Sequence, residues 1–270
     1  MTGFFERRAA EYLPVESNLR ESFRVLAAGR PRGDIIELPG LTIASLGARF
    51  QMFNAAFLNS TATQVDFERR LDTAREYFRS RGMAWALWIC EDWLDRSVRR
   101  RLSQTCQQYG LRLSSEMPGM TAAEIDKPIR RLPDLEYRVV DSAAGMADFR
   151  GIGAVCFHVP LDWFSEVFDE SVPASRPGFR CWVGYLDGMP VATAASVPSS
   201  QALGLYNIAT APGYRGRGFG EAIARHAIGD AVPGRADVPL ILQSTSVGLR
   251  LYERMGFRAV TRILVYTSAR

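Results

Sequence analysis

Apolar residues in the C-terminal half recur at two spacings, one typical of helices and the other of strands. Phe219, Ile223 and Ala227 form a stripe at helical spacing, and Gly229 with the following Pro233-Gly234 is expected to end that helix. Helices are predicted over 145–156, 161–170, 218–230 and 247–255. Strands are predicted over 135–140, 179–186, 190–197, 203–209, 238–243 and 257–266.

Two of these strands are joined by Asp187-Gly188, a pair that favours a tight β-hairpin. The last strand, 257–266, is expected to close the same sheet. Alternation of strands and helices together with a hairpin predicts an α/β domain with a mixed sheet.

The N-terminal half shows a similar order of elements. Phe67, Leu71, Ala74 and Phe78 share one face of a predicted amphipathic helix. That helix spans 66–79, a second is predicted over 95–109, and strands are predicted over 41–46, 50–57, 83–90 and 111–117.

Two short motifs occur once in each half. Phe53-Asn54-Ala55-Ala56 matches Tyr206-Asn207-Ile208-Ala209, and Tyr109-Gly110-Leu111-Arg112 matches Met255-Gly256-Phe257-Arg258. We interpret them as traces of an internal duplication. Two unrelated α/β segments are the alternative.

A polar segment separates the halves. Lys127-Pro128, Arg130-Arg131 and Pro133 combine charges with residues that lack a backbone donor, which is typical of a linker. We therefore predict three parts, which are a degenerate domain over 1–127, a linker over 128–134 and a second domain over 135–270.

Composition excludes several classes of protein. The 270 residues are 47% hydrophobic, which excludes disorder, and no apolar run approaches the roughly 18 residues of a membrane helix. The first residues lack a hydrophobic signal core, and the four cysteines are far apart, so a cytoplasmic protein without a zinc or disulfide framework is expected. The net charge of +4 is modest and does not favour nucleic-acid binding.

The segment from Tyr206 to Gly220 carries the clearest chemical signal. A predicted strand leads into a turn that is rich in glycine and contains Arg215 and Arg217, and a predicted helix follows. Free N–H groups at a helix start attract anions, so the turn predicts a phosphate or pyrophosphate site. A Walker A loop is disfavoured because Glu221 follows the last glycine, and the G-x-G-x-G spacing departs from the dinucleotide fingerprint.

Arg215, Gly218 and Gly220 fit the pattern [RQ]-x-x-G-x-[GA], and Leu251-Tyr252-Glu253-Arg254-Met255-Gly256-Phe257 fits L-Y-x-x-x-G-F. With the order of elements, these motifs resemble those of the GNAT N-acetyltransferase superfamily. The resemblance covers roughly 135–270 and extends more weakly to the N-terminal half, as in tandem GNAT proteins. It implies the GNAT fold and a site for acetyl-CoA as co-substrate, with no metal.

The resemblance also implies residue roles at the coenzyme site. Backbone groups of the turn would hold the pyrophosphate, and the end of the preceding strand would bind the pantetheine arm. For Gly216 the alternative is that it is an ordinary turn glycine without a role in binding. The implied pyrophosphate residues are Arg215, Gly216, Arg217, Gly218, Phe219 and Gly220, and the implied pantetheine residues are Ile208, Ala209 and Thr210.

The same resemblance makes Tyr252 the candidate acid that protonates the coenzyme A thiolate, with core packing as the alternative. The sequence leaves the identity of the general base open. The predicted strand over 203–209 contains no acid, so Asn207 is a candidate for positioning substrate or water, or for filling a gap between strands. His158 is a candidate base, a water chain is an alternative, and His226 is expected to pack.

These features predict an acetyl-CoA-dependent N-acetyltransferase acting on a primary amine of a small molecule or peptide by direct attack. A coenzyme A-binding sensor without catalysis is the alternative, because the strand lacks an acid. Transfer of an aminoacyl or longer acyl group is a third hypothesis. Neither nucleic acid nor membrane is expected as a partner, and the oligomeric state is left open.

Overall fold

The computed structural model describes residues 11–28, 30–169, 179–231 and 237–269. The helices are α1 (Leu13–Ala27), α2 (Gln64–Ser80), α3 (Arg96–Gln108), α4 (Ala143–Phe157), α5 (Leu161–Val167), α6 (Phe219–Ala231) and α7 (Leu249–Arg254). The strands are β1 (Asp34–Leu38), β2 (Leu41–Ser45), β3 (Asn54–Leu58), β4 (Ala86–Cys90), β5 (Leu111–Ala122), β6 (Glu136–Val139), β7 (Arg180–Leu186), β8 (Met189–Pro198), β9 (Leu203–Thr210), β10 (Leu240–Gln243) and β11 (Arg258–Ser268). None of the helices so described is both long and apolar enough to cross a membrane.

The chain forms two compact units. The first contains residues 1–120, 243–247 and 259–270, and the second contains residues 121–242 and 248–258. The end of the chain is therefore shared between the units rather than confined to one of them.

The first unit is built on the strand order β1-β2-β3-β4-β11-β5. Helix α2 buries its predicted stripe of Phe67, Leu71, Ala74 and Phe78 in the core of this unit, which confirms that prediction. The Thr63 hydroxyl oxygen accepts a hydrogen bond from the Asp66 N–H at 3.3 Å and caps the helix start. Residues 51–53, predicted as strand, instead form a 3₁₀ turn before β3.

Strand β11 corrects one prediction about the fold. It does not close the sheet of the C-terminal elements but lies between β4 and β5, antiparallel to β4 from the Ile263–Cys90 pair to the Thr267–Ala86 pair. Residues 263–266 of β11 are buried on both faces of the strand. A strand buried on both faces requires neighbours on both edges, but its apolar pattern does not specify which strands these are.

The second unit has the strand order β10-β9-β8-β7-β6, in which only β10 and β9 are parallel. Asp187 and Gly188 have φ values of 50° and 77°, as a type I′ hairpin turn requires, so the predicted hairpin is confirmed. Helix α6 packs Phe219 and Ile223 against Trp182 of the sheet. The helix continues through Gly229 and ends at Ala231, one residue beyond the predicted end at 230, and Pro233-Gly234 lies outside the described residues.

Candidate functional site

Strands β9 and β10 diverge in the second unit. Their described pairing covers only Leu203 with Leu240 and Gly204 with Ile241. Strand β9 continues to Thr210 beyond this pairing. The edge of β9 that faces away from β8, here called the open edge, thus has no described strand partner beyond Gly204, and an extended ligand could add main-chain hydrogen bonds there.

A β-bulge lies within this open stretch. The pairing of β9 with β8 shifts register between Thr193 and Ala195, opposite Asn207, which has a φ of 49°. The Thr193 hydroxyl donates a hydrogen bond to the Asn207 carbonyl oxygen at 2.9 Å. Bulges bend the strand that contains them, so Asn207 lies where β9 turns away from β10. The half-buried side chain of Asn207 is the strongly polar group on β9 that sequence analysis identified.

The end of β9 orients its backbone toward the open side. The Ala211 N–H donates to the Val191 carbonyl at 2.9 Å, so Thr210, opposite Ala192, directs its backbone groups away from β8. The Thr210 carbonyl already accepts from the Cys156 thiol and from Arg215 Nε, both at 3.2 Å. No sequence motif indicated this contact of Cys156 with the strand end.

The glycines around the turn after β9 serve two purposes. Gly216 and Gly218 have φ values of 76° and 94°, which favour glycine. Gly220 lies inside helix α6, but a Cβ there would be 3.1 Å from Thr210 Oγ1 and 3.8 Å from Leu251 Cδ2. Gly220 therefore keeps the space between the end of β9 and α7 free of side-chain atoms.

The start of α6 presents backbone donors. The first bond that α6 forms back to the preceding turn runs from the Ala222 N–H to the Gly218 carbonyl, at 3.0 Å. The N–H groups of Phe219, Gly220 and Glu221 precede it and have no acceptor within the helix. Such groups, at the positive end of the helix dipole, bind anions.

Side-chain charge at this turn is positive. Arg215 and Arg217 are exposed and form no ion pair with a described residue, and the Arg217 guanidinium lies over the Phe219 ring, 5.1 Å from its centroid. Glu221, the acid in the first turn of α6, is buried and paired with Arg225 at 2.8 Å. The positive charge is therefore not neutralised locally.

Tyr252 lies on α7, directly after Leu251. It is buried, with its ring edge-on to Phe257 at a centroid distance of 6.0 Å. Burial raises the pKa of the Tyr252 phenol well above its ordinary value. Its hydroxyl forms no hydrogen bond with any described residue, so it is protonated and available as a donor.

The two histidines lie in different environments. His158 ends α4 in the left-handed region, with φ 55° and an exposed side chain, and its N–H donates to the Ala154 carbonyl. His226 stacks on Tyr137 at a centroid distance of 4.0 Å, and burial lowers its pKa. The predicted packing role of His226 is confirmed. Within the described part of the chain, no three His, Cys, Asp or Glu side chains form a metal-binding group.

The corresponding strands of the first unit do not diverge. Strands β3 and β4 pair up to Phe57 and Trp88, and a parallel bridge joins the following segments at Ala62 and Leu94. Arg70 donates to the Ser60 carbonyl at 2.8 Å and so occupies the turn after β3 with a cation of the protein itself. The turn after β3 therefore differs from the turn after β9, because its strands stay joined and its arginine is bound to the protein's own backbone.

Comparisons with known proteins identify the fold. Residues 177–259 match the family model of the acetyltransferase (GNAT) domain, which confirms the predicted resemblance to the GNAT superfamily. The solved structure of a GCN5-related N-acetyltransferase from Kribbella flavida has a TM-score of 0.70 at 14% identity, covering 95% of each chain. No curated protein matches the sequence significantly.

Two further solved structures share this fold. A GCN5-related N-acetyltransferase from Sphaerobacter thermophilus has a TM-score of 0.55 at 14% identity, covering 86% of this chain and 82% of its own. A tandem GNAT protein from the clavulanic acid biosynthesis pathway has a TM-score of 0.55 at 11% identity, covering 97% of this chain and 95% of its own. The chain therefore has the GNAT fold. The matched acetyltransferase domain supports the interpretation that the protein is an acyltransferase.

Proposed function

We propose that the second unit binds acetyl-CoA and transfers its acetyl group to a primary amine. The observation that carries this proposal is the divergence of β9 from β10 directly before the arginine-rich start of α6. The open edge of β9 would bind the amide groups of the pantetheine arm. The free N–H groups of α6, with Arg215 and Arg217, would bind the pyrophosphate.

The proposed reaction is direct attack of a neutral amine on the thioester carbonyl. A C–N bond forms, the C–S bond breaks and coenzyme A leaves as a thiolate. Tyr252 would donate its proton to this sulfur, and water would later restore that proton. Because burial raises the pKa of Tyr252, the phenol stays protonated across the neutral range.

The amine must lose one proton in this reaction. Asn207 has no group that accepts a proton at neutral pH, so we assign it to positioning the amine or a water molecule at the bulge. His158 is the proposed acceptor, since its imidazole is exposed and a neutral imidazole nitrogen can accept a proton.

Binding of the coenzyme is the first test of this function. Titration calorimetry with acetyl-CoA should give a Kd in the micromolar range, and a 100-fold excess over Kd should stabilise the fold by about 2.7 kcal/mol. Release of free thiol, measured with a panel of amines, would then report transfer. Absence of any heat with acetyl-CoA and with coenzyme A would refute the proposed function.

A coenzyme A-binding sensor is the second candidate, favoured by the absence of an acid on β9. It predicts the same binding without thiol release for any amine in the panel. For either candidate, the four free cysteines suit a reducing cytoplasm.

A further inference from the structure

Residues 126–133, here called the strap, overlap the predicted linker over 128–134. They contain no helix or strand, but both ends of the strap are fixed. At one end the Asp126 N–H donates to the Met255 carbonyl at 2.9 Å, after α7. At the other end Pro133 lies against Gly218, where a Cβ would be 3.1 Å from its Cδ.

Helix α6 supports the strap along one face. Arg225 Nη1 donates to the Asp126 carbonyl at 2.6 Å, and Arg225 is itself held by buried Glu221. Gly218, Glu221 and Arg225 are spaced by three and four residues and so share one side of the helix. The strap therefore follows α6 from Arg225 back to the helix start.

Arg130 lies in the strap beside the proposed pyrophosphate site. A Cβ on Gly218 would be 3.5 Å from Arg130 Nη2, so this guanidinium lies against the residue that precedes α6. Its side chain forms no ion pair or hydrogen bond with a described residue. Leu132, close by, packs against the core cluster of the second unit and helps to fix the strap.

We propose that Arg130 is an additional ligand of coenzyme A and binds its pyrophosphate at the start of α6. A guanidinium donates two parallel hydrogen bonds to phosphate oxygens, which a single lysine ammonium does not match. Because the strap is fixed at both ends, Arg130 supplies this charge with little loss of backbone freedom. The inference rests on the proposed function and adds a binding residue from a segment outside the glycine-rich turn.

The test compares Arg130→Ala with Arg131→Ala, which removes the same charge from the next exposed residue. Calorimetry with coenzyme A is expected to show a Kd about 10-fold higher for Arg130→Ala and within twofold of wild type for Arg131→Ala. Arg130→Lys should restore part of the loss. The difference between the alanine variants should shrink at high salt, as for an exposed charge.

Dephospho-coenzyme A, which lacks the 3′-phosphate but keeps the pyrophosphate, identifies the group bound. The proposal expects the same 10-fold loss for Arg130→Ala with this ligand. Equal affinity of the two alanine variants would overturn the proposal. A loss of affinity in Arg130→Ala for coenzyme A but not for dephospho-coenzyme A would also overturn it. Absence of coenzyme A binding by the wild-type protein would instead refute the proposed function, so the two failures are distinguishable.

Discussion

Replacement of Tyr252 by phenylalanine is expected to lower kcat for acetyl transfer by about 100-fold, with the Kd for acetyl-CoA nearly unchanged. The substitution removes only the hydroxyl, and the edge-on contact of the ring with Phe257 is retained. The leaving thiolate would then lack its proposed proton donor. Steady-state rates of thiol release and calorimetry with acetyl-CoA measure the two quantities.

Tyr137→Phe provides the matched control, because Tyr137 is a tyrosine of the same unit whose ring stacks on His226. Its kcat is expected to stay within twofold of wild type. A similarly small effect of Tyr252→Phe would show that Tyr252 serves packing alone. The pH profile adds a check. Because the pKa of Tyr252 is raised, its protonated form persists, and deprotonation of Tyr252 should not lower kcat between pH 7 and about pH 9.

Replacement of Gly220 by leucine is expected to weaken coenzyme A binding by about 100-fold, or about 2.7 kcal/mol. A side chain at this position would enter the space between Thr210 and Leu251, where a Cβ alone is already 3.1 Å from Thr210 Oγ1. The backbone is helical at this position, so leucine introduces no strain in φ. Gly220→Ala adds only a methyl group and should cost at most about threefold in Kd.

Gly229→Leu is the control in the same helix. A Cβ on Gly229 meets no atom within 4 Å, so leucine there should leave the Kd unchanged and raise helix stability by up to about 1 kcal/mol. Calorimetry gives the affinities, and urea unfolding confirms that each variant is folded. Wild-type affinity in Gly220→Leu would place the coenzyme elsewhere.

Local patterns in the sequence predicted local structure well. The hairpin at Asp187-Gly188, the apolar stripe of α2 and the glycine-rich turn before α6 each depend on neighbouring residues, whose spacing and backbone preferences are visible in the sequence. Helix α1 escaped prediction because its buried positions include Glu16, Asn18 and Ser22, which interrupt the apolar period. Edge strand β1 was missed as well, and its residues are half-buried or exposed.

Long-range features of the site were beyond prediction. The turn sequence alone predicts free backbone N–H groups at a helix start, which makes the residues of the turn candidate ligands. The divergence of β9 and β10 depends on a bulge at Asn207, and no apolar pattern encodes a register shift. The strap was interpreted as a linker because its prolines and charges resemble one, whereas its contacts with Gly218 and Gly256 depend on distant residues.

The position of β11 has a consequence for folding during synthesis. The first unit contains residues 1–120 but takes its strand between β4 and β5 from residues 258–268. Until the ribosome has released that segment, one edge of β4 is unpaired. Its apolar residues, which are buried in the folded protein, are then exposed and can pair with strands of other chains. We expect the nascent chain to depend on chaperones for most of its synthesis, and cutting the gene at the strap to yield two insoluble fragments rather than two domains.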